Sequence, residues 1–321
     1  MITLSDLRAA QSRLNGITKR TRLVEFKTCA EDPRRLFLKP ENQQPIGAFK
    51  LRGAYNKIAA LSDEERNRGV ISYSSGNHAQ GVAYAARALK TKAVIVMPNN
   101  APQIKREATA KLGAEIVLVG PGSDERKTRA EELAAQHGYV IVPPYNDEHI
   151  IAGQGTIGLE ILEEFPEVET VLAPVGGGGL ISGVAAAIKL TNPKVKVIGV
   201  EPELAADARA SLRQGKIVQF PAERVSRTVA DGLRTQSIGP INFEHIRAYV
   251  DDIITVNEDE IHQAMKYLAA NPETIAEPSG AVATAGFIFH AKGLPKATHH
   301  VAIISGGNIE PEMLEKIQTS K

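Results

Sequence analysis

Val70-Ile71-Ser72-Tyr73-Ser74-Ser75-Gly76-Asn77-His78 is the stretch from which the fold can be read. Four residues of strand character run into a cluster of small, hydroxyl and amide residues, and a helical pattern from His78 to Leu89 follows at once. The alternation continues with strand Ala93 to Met97, helix Gln103 to Leu112, strand Glu115 to Val119, helix Asp124 to His137 and strand Tyr139 to Val142. Strands alternating with helices of this length predict a parallel sheet with helices on both faces. Asn99-Asn100-Ala101-Pro102 and Gly120-Pro121-Gly122-Ser123 are the loops that start two of the helices.

A second series lies further along: helix His149 to Phe165, strand Thr170 to Val175, a glycine run, helix Leu180 to Leu190 and strand Val195 to Glu201. Strand Ile253 to Val256, helices Glu258 to Ala270 and Gly280 to Ala291, strand His300 to Ser305 and helix Glu310 to Ile317 complete it, with irregular sequence expected over Pro202 to Val250. Before the first series come a short helix marked by Leu4, Leu7 and Leu14, a strand Arg35 to Lys39, and a helix Gly47 to Leu61 with Lys50 in its first turn. Two α/β series predict two doubly wound domains, with ligands at the carboxyl ends of strands where helices begin.

At 321 residues the chain exceeds the roughly 100 to 200 residues of a typical domain, which agrees with two units. Its 43% hydrophobic and 23% charged residues fit a soluble globular protein. A net charge of +1 supplies no field for nucleic acid or anionic lipid, so a small-molecule partner is expected. No run approaches the ~20 apolar residues of a membrane span, and the amino terminus lacks a signal-peptide core. Cys29 is the single cysteine and cannot form an internal disulfide, which points to a reducing, cytoplasmic setting.

Five stretches carry candidate chemistry. Lys50, within Pro45-Ile46-Gly47-Ala48-Phe49-Lys50-Leu51-Arg52-Gly53-Ala54, sits among small and apolar residues that would favour the neutral amine of a Schiff-base lysine, although a snorkelling surface lysine has the same composition. Gly176-Gly177-Gly178-Gly179, between a strand and a helix, lets backbone amides approach a phosphate. With Ser182 and Glu201 it also comes near a nicotinamide dinucleotide fingerprint, so an NAD-dependent oxidoreductase is an alternative from another class. Ser74, Ser75, Gly76, Asn77 and His78 could cradle a substrate carboxylate or simply cap a helix, and Ser305-Gly306-Gly307-Asn308 has the same placement after a strand. Glu201, the Ala205 carbonyl and Asp207 offer hard oxygens to a magnesium, calcium or manganese ion; a solvated strand end would look similar.

The ordered set of these stretches, with Ala152-Gly153-Gln154-Gly155-Thr156 and Glu277-Pro278-Ser279-Gly280, resembles the fold type II pyridoxal phosphate enzymes, in their threonine dehydratase and serine racemase branch. The resemblance runs from the first helix almost to the end of the chain and has no use for nicotinamide. It implies a tryptophan synthase β-like α/β fold. The large cofactor-binding domain would be made of residues 1–68 and 143–321 and the small substrate-binding domain of residues 69–142, with no carboxyl-terminal regulatory domain. Lys50 would carry the cofactor, Phe49 would pack on its ring, Asn77 would bond its 3-hydroxyl and Ser305 its ring nitrogen. Gly176, Gly177, Gly178 and Gly179 would hold the phosphate, with Gly232 nearby.

The implied reaction is β-elimination from a β-hydroxy amino acid such as L-threonine or L-serine, Lys50 taking the Cα proton and the product being a keto acid and ammonia. A serine or other amino-acid racemase, or a dehydratase of 3-hydroxyaspartate or phenylserine, is the alternative on the same scaffold. Ser75 would be the second-face acid of a racemase, whereas Tyr145 falls where racemases can carry asparagine, which tilts the reading towards a dehydratase. Arg126 is a candidate to face an acidic side chain. The branch further implies the divalent cation at Glu201, Ala205 and Asp207, and a homodimer.

Overall fold

The computed structural model describes residues 1–27, 32–74, 76–101, 103–120 and 123–319, so Cys29, Ser75 and the loop residues 102 and 121–122 lie outside the described residues. In chain order, β1 (Val24–Phe26) and β2 (Arg35–Pro40) open a larger sheet. A smaller sheet follows, made of β3 (Val70–Tyr73), β4 (Ala93–Pro98), β5 (Glu115–Val119) and β6 (Val140–Ile141). The chain then returns to the larger with β7 (Thr170–Pro174), β8 (Lys196–Pro202), β9 (Asp252–Val256) and β10 (His299–Ile304). The orders are β1-β2-β10-β7-β8-β9 and β5-β4-β3-β6. Every pairing is parallel except that of β1 with β2 at the edge.

The continuous apolar runs of the central strands explain this architecture. Every residue of β4 and of β7 is buried, as expected of parallel strands covered on both faces by helices. Alternate residues of the larger sheet serve opposite layers. Leu172, Ile198, Ile254 and Ala302 pack with the helices Glu258–Leu268 and Pro278–Phe289, whereas Val171, Val197, Ile253 and Val301 pack with the helices Glu148–Glu164, Gly179–Thr191 and Pro240–Tyr249.

A third apolar cluster ties the smaller sheet to Ile150 of the helix Glu148–Glu164, which packs on the larger one. Leu51, Ala54 and Ile58 of the helix Lys50–Ala59 meet Val70 and Ile95 of the smaller sheet and Ala79 and Val82 of the helix Asn77–Ala88. The helix on which Lys50 stands is therefore clamped between the two sheet systems, which fixes it relative to both.

Three expectations need correction. The helix predicted from Gly47 starts at Lys50, because Gly47 has φ of +72°, outside the right-handed helical region. Leu4 is exposed, and the first helix buries Leu7, Ala10 and Leu14 instead. The irregular region holds three helices, Asp207–Gln214, Ala222–Val225 and Pro240–Tyr249. Two of these have readable ends, Gly215 in the left-handed conformation after the first and Pro240 opening the last.

Candidate active site

The carboxyl ends of β3, β6, β7 and β10 all face a cleft of about 770 Å³. Ser74, Gly76, Asn77 and His78 follow β3, Pro143 to Asn146 follow β6, Gly176 to Gly179 follow β7, and Ser305 and Asn308 follow β10, all lining it with Phe49 and Lys50. Four of the sequence-predicted stretches thus converge in one place, whereas Glu201, Ala205 and Asp207 do not line this cleft.

Lys50 is half-buried at the cleft wall. Its Nζ donates to the Pro144 carbonyl at 2.7 Å and lies 5.2 Å from the centre of the Phe49 ring. Burial pushes the amine down to about 8, because the apolar surroundings disfavour the ammonium. Beneath it, Arg52 is fully buried. The Arg52 fork donates from Nε and Nη2 to Glu41 at 2.7 and 2.9 Å and from Nη1 and Nη2 to Glu160 at 2.6 and 3.0 Å. Lys39 also donates to Glu160, at 2.7 Å, and the two carboxylates hold the Arg52 guanidinium above its ordinary pKa. Two residues of α-helix turn the side chain by roughly 200°. The fork thus grips the face of the helix away from Lys50 and aims the amine into the cleft.

The glycines of the Ala152 to Thr156 motif serve that grip. A Cβ at Gly153 would stand 2.6 Å from the Arg52 carbonyl oxygen, so glycine lets the helices Lys50–Ala59 and Glu148–Glu164 touch backbone to backbone. Gln154 accepts from the Gly53 N–H at 3.2 Å and Thr156 from Arg52 at 3.1 Å.

Across the cleft, Gly178 of the glycine run has φ of +94°, and the helix Gly179–Thr191 begins just after it without a side-chain cap. Its first amides face the cleft, the arrangement of an anion site. Tyr145 lies against this loop, its ring in the space that a Cβ on Gly177 would need. Burial pushes the Tyr145 phenol up to about 12, so it stays protonated.

A second uncapped helix start faces the same cleft. Gly76 precedes the helix Asn77–Ala88 and no side chain caps it; Ser74 Oγ instead accepts from the Gly76 N–H at 3.3 Å. The helix-cap alternative for this stretch is thereby not what Ser74 and Asn77 do. His78 is buried, with Nε2 on the Val142 carbonyl at 3.0 Å, and burial pushes it down to about 3, so it is a neutral wall residue. On the far side Ser305 Oγ donates to the Ser279 carbonyl at 3.3 Å, and the Gly232 N–H donates to Ser279 Oγ at 2.9 Å.

Comparison with known proteins agrees with these parts. The sequence profile of the pyridoxal-phosphate dependent enzymes matches residues 14–306. An L-threonine ammonia-lyase of Thermotoga maritima is 48% identical over 99% of this chain and 78% of that protein. An L-threo-3-hydroxyaspartate ammonia-lyase of Saccharomyces cerevisiae is 39% identical over 96% of this chain and 94% of that protein. The structure of maize serine racemase superposes with a TM-score of 0.92 at 37% identity, covering 97% of this chain and 95% of the other. The chain belongs to the fold type II pyridoxal phosphate enzymes, in the threonine dehydratase and serine racemase family.

Membership in this family removes the nicotinamide alternative, and the geometry agrees. Glu201, the acid that a ribose would need, is fully buried and accepts from the N–H groups of Ala208 and Arg209 at 2.9 and 2.8 Å, turned to the start of the helix Asp207–Gln214. The same burial corrects the solvated-strand-end alternative for Glu201 and Asp207. Burial and the neighbouring Asp207 charge push Glu201 well up, and burial pushes Asp207 up to about 7. Both Asp207 carboxylate oxygens are buried, and the nearby N–H groups of Asp207 itself and Ile238 form no well-aligned hydrogen bond to them. Among the described residues, no group of three or more His, Cys, Asp or Glu side chains could hold a metal; a set there would need the Ala205 carbonyl.

Sequence reasoning gave Glu277, Asn308 and Arg52 no role. Glu277 accepts from Asn77 Nδ2 at 2.6 Å, and Asn308 Nδ2 donates to Asn77 Oδ1 at 2.7 Å. The signal was present for Glu277 and Asn308, since each belongs to a motif already singled out. No helix of the described residues is long and apolar enough to cross a membrane.

Proposed function

We propose that this chain is a pyridoxal phosphate-dependent ammonia-lyase that removes the hydroxyl and amino groups of an L-β-hydroxy amino acid, of the threonine or serine type, to give a 2-keto acid and ammonia. The observation that carries the reading is the pairing of a half-buried lysine amine, its pKa lowered by burial, with an uncapped glycine-opened helix start in the same cleft. These residues fit the cofactor. Lys50 would hold it, Phe49 would pack beside its ring, Gly176 to Gly179 would bind its phosphate, Gly232 would lie close by, Asn77 would donate to its ring oxygen, and Ser305 would meet its ring nitrogen. When bound, pyridoxal phosphate supplies an electron sink for the charge that develops at Cα.

Lys50 Nζ takes the Cα proton and stores it during departure of the β-hydroxyl. The lowered pKa suits an amine that must be neutral to accept that proton near neutral pH. Ser74, Gly76, Asn77 and His78 form the carboxylate side of the pocket, where the amides opening the helix Asn77–Ala88 attract an anion. Ser75, the candidate second-face acid, lies outside the described residues. The protonated Tyr145 covers the phosphate loop and excludes water from it.

A divalent cation, magnesium, calcium or manganese, at Glu201, the Ala205 carbonyl and Asp207 is part of this proposal, and the two Asp207 oxygens, buried without a well-aligned hydrogen bond, support it. So are the division into a large domain (1–68 and 143–321) and a small domain (69–142), a homodimer, and a reducing cytoplasmic location consistent with a single cysteine. Arg126 lines the cleft half-buried, and this favours a second reading in which the substrate side chain is acidic, as in 3-hydroxyaspartate.

The test is incubation of the cofactor-loaded protein with a panel of L- and D-β-hydroxy amino acids, with and without magnesium, following keto acid and chiral composition together. Keto acid without the opposite enantiomer is expected. Interconversion of enantiomers would make the chain a racemase, and a preference for 3-hydroxyaspartate that Arg126→Ala removes would establish the acidic reading.

A further inference from the structure

Glu277 is a buried acid in the cleft wall to which the mechanism assigns no task. It stands at the amino-terminal cap of the helix Pro278–Phe289, a position where a short polar side chain normally bonds the first-turn amides, yet its side chain makes no capping bond. The carboxylate turns away from its own helix and towards Asn77. Space for it is provided by Gly306, where a Cβ would run into the Glu277 carboxylate, and the Glu277 N–H donates to the Gly306 carbonyl at 3.1 Å. Burial pushes the carboxyl up to about 7, with a further upward push from Asp231 that Lys105 opposes.

Asn77 sits between two partners of opposite kind. Asn308 Nδ2 donates to Asn77 Oδ1 at 2.7 Å and to the Ile46 carbonyl at 2.9 Å, while Glu277 accepts from Asn77 Nδ2 at 2.6 Å. A primary amide has one carbonyl oxygen and two N–H donors. The two contacts use the oxygen and one donor, and Asn308, itself fixed by the Ile46 carbonyl, excludes the reversed amide, which would set NH2 against NH2. One N–H of fixed direction remains.

We propose that Glu277 is a positioning residue that, with Asn308, locks the Asn77 amide so that its remaining N–H is presented to the ring oxygen of the cofactor. This rests on the cofactor reading given above. Glu277 touches no reacting atom in this account, and its contribution passes entirely through Asn77.

The test is a double-mutant cycle on cofactor binding, read by equilibrium titration of the apoprotein with pyridoxal phosphate and by the position of its visible absorption band. Glu277→Ala and Asn77→Ala are each expected to weaken binding by about tenfold to a hundredfold, the range for orphaning one buried hydrogen-bond partner, and to shift the band. The double variant should bind no more weakly than Asn77→Ala alone and share its band position, with melting of the apoproteins checking that each variant is folded. Should Glu277→Ala fail to fold, Glu277→Leu, which keeps most of the volume and removes both carboxylate acceptors, carries the same cycle. Additive losses, or a Glu277 variant with wild-type affinity and band, would overturn the proposal while leaving the cofactor reading intact. Absence of a visible band in the wild-type protein, or a band that survives Lys50→Ala, would instead overturn the cofactor reading and the positioning role with it.

Discussion

Lys50 Nζ donates a 2.7 Å hydrogen bond to the carbonyl oxygen of Pro144, the residue that immediately precedes Tyr145 in the segment leaving the smaller sheet. The amine is thereby held in the cleft by a neutral partner, so nothing at the end of this bond compensates an ammonium with a formal charge. That arrangement leaves burial as the dominant influence and the amine pushed down to about 8.

Reductive capture of pyridoxal phosphate on the apoprotein is expected to label Lys50, with an apparent midpoint near pH 8, since the neutral fraction of the amine grows as pH rises through its pKa. A fully solvated model lysine would respond only near about 10.4. Peptide mapping across a pH series checks this, and a Lys50 midpoint at the surface value would contradict the role of burial.

Replacing Arg52 by methionine should destabilise the fold by about 3–5 kcal/mol, because Glu41 would be left as an uncompensated buried charge while Glu160 kept only Lys39. By contrast, breaking the exposed pair of Lys127 and Glu131 should cost at most about 1 kcal/mol. Urea unfolding of both variants makes the comparison, and equal losses would show that the buried network does not hold the helix of Lys50.

Gly178→Ala forces a side chain into a left-handed backbone position against Asn242, at a cost of about 1–2 kcal/mol from conformation alone. The expected result is a lower melting temperature together with weaker binding of both pyridoxal phosphate and free phosphate. Unchanged phosphate binding would move the anion site elsewhere.

Addition of magnesium, calcium or manganese should raise the melting temperature of the apoprotein, with a stabilisation of about 2.7 kcal/mol once the ion exceeds its dissociation constant a hundredfold. Asp207→Asn should abolish the effect. A cation response that persists in this variant would place the ion at other ligands.

The parallel sheets were legible because β4, β7 and β10 are runs of apolar residues bounded by turn residues, and the pattern that buries them is local. The glycine run and Lys50 were legible for the same reason: each carries an unusual local composition. The Glu277 and Asn308 contacts with Asn77 were not, since they join positions 200 and 231 residues apart and depend on which side chain points across the cleft. Arg52 was hidden in plain view, as its partners Glu41 and Glu160 reside on separate elements and nothing in its own neighbourhood distinguishes a buried fork from a surface cation. The helices between Pro202 and Val250 escaped because they are short, 8, 4 and 10 residues, and periodicity needs length to register.

The isolated bridge between Ala48 and Gly306 has a bearing on how the molecule comes into being. It ties the segment just before Lys50 to the one just after β10, and the Phe49 N–H donates to the Ser305 carbonyl beside it at 3.1 Å. During synthesis the lysine emerges well before Ser305 and Gly306, which complete its wall. The pocket must therefore close after those residues are made, and contacts of such sequence separation are the slow ones to form. Cofactor capture is then a late event in maturation, and a nascent chain arrested before Ser305 would expose its lysine without the means to retain what it binds.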